Sequence, residues 1–296
     1  MRPDRQENAV RRATHCARLF SLVAFLLCLP VLTTAQESSG PLTPPPEHKV
    51  HRIESAPTPE APDLPLEEII KRFSQKEDEY LEARIHFWNR KTIRLQEIGP
   101  DGKPLGEITL VTEPAATPEG KPFEKIVKQE QTAVRYLRIE PEDIETLGRI
   151  PAYPLTTNQL TKYDLKYAGK EQVDEIECYI FQVKPKIVER QRPLFEGIVW
   201  VDDKYFDVVK TYGKWVTDLG DVHSPVLPFT MFETYRDQIE GKYWLPTYSR
   251  SDDFLRFKDE SVPIRIVIKW SDFKQISPVK TPVPGVTSVP AAKHEP

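Results

Sequence analysis

Asp221, His223 and Ser224 hold the residue types a hydrolase needs, within four positions of one another. A working triad draws its members from separate elements that set their geometry, and three neighbours on one loop lack that support. They read as an ordinary loop, which leaves a secreted hydrolase as a third reading only. Asp202-Asp203 and Asp252-Asp253 are paired carboxylates. Neither pair stands in a calcium-loop spacing, no His/Cys cluster offers zinc ligands, and both pairs read as turn residues. His86 alternates with Arg84 on a polar strand face and is expected in solvent. Cys178, within Ile176-Glu177-Cys178-Tyr179-Ile180, reads as a buried and inert strand residue. No phosphate loop, dinucleotide fingerprint or serine elbow occurs, so the reading is non-enzymatic, with no cofactor and no metal.

The aromatic residues say more. The five tryptophans are spread over strand-like segments, with phenylalanines nearby. Packed together they are a core; left partly open, they line an apolar pocket for a lipid chain. The candidates for such a lining are Ile70, Phe73, Phe87, Ile198, Trp200, Phe206, Phe232, Trp244, Ile266 and Trp270. Sequence does not distinguish a filled interior from an open one.

The elements that carry these residues follow from pattern. Arg2, Arg5, Arg11, Arg12 and Arg18 precede an apolar run, Leu19 to Leu32, and then Thr33-Thr34-Ala35. That is the plan of a secretory signal peptide cleaved after Ala35; a retained membrane anchor is the alternative. Cleavage takes the formal charge from -4 to -7 and leaves Cys178 alone, without a disulfide partner. An acidic chain without a basic stripe excludes nucleic acid as the expected partner. Residues 36–63 are rich in Pro, Ser and Glu and read as a disordered arm, and residues 277–296 as a disordered tail. Between them, residues 64–276 read as one domain, because no Pro-rich linker interrupts the span.

Leu66, Ile69, Ile70 and Phe73 fall at helical spacing, after the start residues Asp63 and Pro65. Strand-like runs follow at 83–95, 107–111, 123–129, 133–139, 163–167, 175–183, 195–214, 230–236, 243–250 and 262–270, with short helices at 141–147 and 157–162. Ala168-Gly169-Lys170 and Glu240-Gly241-Lys242 read as turns. The fold class is therefore α+β: a curved antiparallel sheet of about ten strands, with the N-terminal helix and short helices as natural covers for its concave face.

Gly197-Ile198-Val199-Trp200-Val201-Asp202, the return strand Phe206–Lys210, and Tyr235 through Gly241 to Pro246 form a recognisable pattern. It is a G-x-x-W-V-D strand, an x-V-x-K return and an x-x-G-x-x-x-P hairpin. This pattern resembles the outer-membrane lipoprotein-sorting proteins, the LolA-like group. The resemblance implies an open half-barrel with helices inside it, no catalytic residues, and an apolar concavity for lipoprotein acyl chains in the periplasm. The partner it implies is a lipoprotein or lipid acyl chain bound by a monomer. The other reading is a structural or regulatory module of the cell envelope whose sheet is a platform for a protein partner.

Overall fold

The computed structural model describes residues 57–118, 121–140, 143–144, 154–189, 193–216 and 229–277. The Asp221–His223–Ser224 loop, the signal segment and most of both Pro-rich termini lie outside them.

Helix α1 (Leu66–Arg84) starts at Pro65, whose carbonyl accepts from the Glu68 and Ile69 amides. Ile69 and Phe73 are buried as the apolar spacing predicts, and the buried stripe runs on through Glu77, Tyr80 and Ala83. Ten strands follow: β1 (Phe87–Ile98), β2 (Pro104–Ala116), β3 (Pro122–Thr132), β4 (Tyr163–Val173), β5 (Ile176–Pro185), β6 (Leu194–Asp202), β7 (Val208–Val216), β8 (Phe232–Ile239), β9 (Tyr243–Arg256) and β10 (Ser261–Gln275). A 3-10 turn, Leu160–Lys162, leads into β4. All pairings are antiparallel, in the order β3-β2-β1-β10-β9-β8-β7-β6-β5-β4. β3 and β4 are the edges, so the sheet stays an open half-barrel.

Side-chain parity sorts the core. On the α1 side, Ile69 and Phe73 pack on Tyr179, Phe181, Val199, Val201 and Phe206. On the same side Ile93, Leu95, Ile108, Leu110, Ile264, Ile266 and Ile268 form a second cluster with Phe232. On the other face Trp200, Cys178, Tyr235 and Tyr248 pack together. The hairpin β6–β7 depends on a glycine pair. Gly197 and Gly213 face each other across it, and the Phe195 ring fills the space where either Cβ would stand. Its turn is built by Asp202, whose Oδ1 accepts from the amides of Lys204 (2.7 Å) and Tyr205 (3.1 Å).

Six expectations change. Ala168-Gly169-Lys170 is a bulge inside β4, not a turn; the chain reverses at Asp174, which has φ 51°. Gly169 (φ 118°) is needed there because a side chain would strike the Thr58 carbonyl, which pairs with Lys170. Residues 133–139 are not a strand. Ala133 turns the chain (φ 48°), and the Glu97 carboxylate accepts from the amides of Arg135 (2.9 Å), Tyr136 (2.5 Å) and Leu137 (2.8 Å). Asp252 and Asp253 lie within β9, with Asp252 between Arg250 (2.8 Å) and Arg265 (2.6 Å). His86 is partly buried, bonded to Ser277 Oγ (2.6 Å) and Glu82 (3.1 Å). Asp63 pairs with Lys170 rather than capping α1. The stretch 57–63, read as the end of the arm, is thus held against β4.

Candidate ligand groove

Helix α1 ends at Arg84, and the His86 amide closes its last turn on the Ala83 carbonyl (2.9 Å). The chain then enters β1 beside the end of β10. Between Trp88 and Arg90 the β1–β10 register slips, and Asp272 takes the left-handed conformation (φ 55°). A regular strand would turn residues three apart to opposite faces. The extra residue at this bulge lets Trp270 and Phe273 both border one groove.

The groove measures about 670 Å³. Its walls are the end of α1 (Tyr80, Arg84), Ile85, the start of β1 (Phe87, Trp88, Asn89, Lys91), the end of β2 (Pro114 to Ala116), Glu124, Leu245 and Pro246 of β9, and Trp270, Phe273 and Ile276. Tyr80, Phe87 and Leu245 are buried together beneath it. The lining is mostly apolar, and its polar groups divide in two. Lys91 is ion-paired with Glu124, which also accepts from Thr112 Oγ1 (3.0 Å). The Tyr80 hydroxyl and Asn89 Oδ1 are buried with no hydrogen-bond partner among the described residues.

Only Phe87 and Trp270 of the ten candidate residues line this groove. Ile70, Phe73 and Phe206 are packed in the cluster under α1, and Phe232 and Ile266 in the cluster beside it. Ile198 and Trp200 belong to the opposite face, where β6 parity puts them, and Trp244 of β9 packs against the same cluster. Tyr80, Trp88, Asn89, Phe273 and Ile276 were not among the candidates. Tyr80 was legible as a continuation of the helical stripe. Phe273 was not, because strict alternation sets it opposite Trp270.

A second cavity of similar size, about 660 Å³, lies at the tips of β6–β7 and β8–β9; Ile176, Tyr205 and the candidate residue Trp244 give it apolar surface, and Lys76, Asp202, Asp207, Asp237 and Lys242 put several charges in its lining. Burial pushes the Asp207 carboxyl up to about 7, against the pull of Lys76. Burial also raises Asp237, against its hydrogen bond from Thr247. Cys178 is buried, which pushes its thiol up, as expected of an inert residue. Among the described residues no group of three or more His, Cys, Asp or Glu is placed to hold a metal ion. Among them also, no helix is long and apolar enough to cross a membrane.

No family model matches the chain, and no curated protein matches it. Solved structures do. A DUF1329 family protein from Desulfovibrio piger is 15% identical, with 69% of this chain and 93% of that one covered and a TM-score of 0.28. A LolA superfamily protein from Nitrosomonas europaea is 14% identical (67% and 92% covered, TM-score 0.29). An outer membrane lipoprotein-sorting protein domain from Vibrio parahaemolyticus is 10% identical (70% and 92% covered, TM-score 0.32). Scores this low carry no argument about ligand or partner. The chain is similar, at low identity, to LolA superfamily and lipoprotein-sorting structures, the group that residues 195–246 resemble.

Proposed function

We propose that this chain is a non-enzymatic binding protein of the cell envelope that holds a lipid or lipoprotein acyl chain in the α1–β1–β10 groove. The observation that carries the reading is the groove itself: about 670 Å³, open, and walled by Phe87, Trp88, Trp270, Phe273 and Ile276. Ligand sites fall at roughly 300–1,000 Å³ and are mainly apolar with a few placed polar groups. The arginine-led apolar run Leu19 to Leu32 supports export to the periplasm. The edge strand β3 carries Lys121 beside it and Lys125 and Lys128 within it, charges that blunt strand addition. The edge therefore lends no specific support to a protein-platform role.

Trp88 and Trp270 make the test direct. A bromine-labelled fatty acid should quench the tryptophan fluorescence of the full chain on binding. Replacing Ala115 on the groove wall by Trp should fill the site and weaken uptake by about tenfold or more, the equivalent of about 1.4 kcal/mol. Native mass spectrometry of the purified protein should show a bound acyl species in the parent and not in A115W. Equal uptake by parent and A115W, or none by either, would sink the assignment.

A further inference from the structure

Resting on the acyl-chain reading above, we propose that the groove selects an amphiphile whose head is an oxyanion, a carboxylate or a phosphate monoester, received by Tyr80, Asn89 and Arg84. Tyr80 is only 5% exposed, yet its hydroxyl lacks a partner among the described residues. Native proteins pair more than roughly 90% of such groups, so an orphan in a groove wall points to something that binds there. The ring is held in place by Arg236, whose guanidinium lies 3.9 Å from its centroid. Asn89 stands where β1 and β10 lose register and has a second buried orphan atom. Its amide can turn to present either the oxygen or the NH2 group.

Arg84 follows Tyr80 by four residues, so both project from one face of α1. It is exposed and makes no ion pair among the described residues, while Lys91 and Glu124 neutralise each other. The lining therefore carries one uncompensated charge, and it is positive. A hydroxyl, an amide NH2 and a guanidinium are all donors, and an ionised oxyanion only accepts. An ester head would answer Tyr80 and leave Arg84 unmatched. An ammonium head would find no unpaired anion in the lining, since Glu124 is taken by Lys91. The free carbonyls in the last turn of α1, where Tyr80 and Arg84 stand, disfavour an anion. The charge-assisted bonds from Arg84 and Tyr80 outweigh that effect.

The test uses the full chain loaded with the neutral probe N-phenyl-1-naphthylamine. It is displaced in turn by laurate, dodecyl phosphate, methyl laurate and dodecyltrimethylammonium. Both anions should displace it at roughly tenfold lower concentration than the ester or the cation. Arg84→Gln and Tyr80→Phe should each cut the preference for laurate over methyl laurate by about 3- to 10-fold. Lys204→Gln, which removes a charge at the β6–β7 turn, should leave that preference unchanged. The ranking of laurate against dodecyl phosphate tells a carboxylate head from a phosphate one. If all four compounds compete alike, the head-group proposal is overturned and the acyl reading stands. If the probe does not bind and no compound does, the acyl reading falls and takes this one with it.

Discussion

Asp207 is one residue through which pH reaches the stability of the fold. Its ordinary value is 3.8 and burial raises it to about 7, so across that window the folded protein keeps a proton that the unfolded chain has lost. The sign is then fixed. The contribution of Asp207 to stability is greatest below about pH 4, falls as pH rises toward about 7, by up to about 1.4 kcal/mol per unit, and levels off above. Asp207→Asn should flatten this dependence, as read by urea unfolding at several pH values within the window. A slope that survives the substitution would show that another group sets it. Residue types alone indicated none of this. Asp207 looked like one more acid after the Asp202-Asp203 turn, and only the packing of Lys76 and the neighbouring hairpin buries it.

At the scale of elements, the helix is fastened by a buried ion pair. Glu77 on α1 takes the Arg236 guanidinium of β8, with contacts of 2.5 and 3.2 Å, and also accepts from the Leu155 amide (3.2 Å). Both side chains are almost fully buried. Removing one partner strands the other charge, so Glu77→Gln should cost about 3–5 kcal/mol. Replacing the pair with Met at both positions should restore most of that loss. Denaturant melts of the singles and the double measure this, and additive losses would exclude the coupling. Sequence reading placed α1 and most strands because stripe and alternation are local signals. It missed the Glu77 contact because an acid on an apolar stripe announces no partner 159 positions away. It misplaced the β4 turn and added a strand at 133–139 for a similar reason. Thr58 and Glu97, both distant in sequence, decide those conformations. The G-x-x-W-V-D motif is legible in hindsight: Gly197 exists so that Phe195 can lie across the glycine pair.

For the molecule as a whole, a ligand that binds only the folded state must raise its melting point. Laurate at about 100 times its dissociation constant should add roughly 2.7 kcal/mol, a rise of about 5–10 °C for a domain of this size. Differential scanning fluorimetry reads it, and an unchanged melting point at saturation would contradict binding to the native fold. The curled antiparallel sheet was readable from the succession of strand runs, and its openness from the resemblance of residues 195–246, but the pairing of β1 with β10 was not. The site was not, because it arises where a bulge and a helix end meet. The strand order has one more consequence. β1 pairs with β10, and their partners Ile93 and Ile268 lie more than half the chain apart. From β4 onward the order runs β4 to β10 and then β1 to β3. A circular permutant beginning at β4 would therefore be an uninterrupted meander, every strand pairing with its successor. The natural chain instead makes β1, β2 and β3 before the strand that anchors them. A folding path in which that hairpin set waits for β10 follows from the order of synthesis alone.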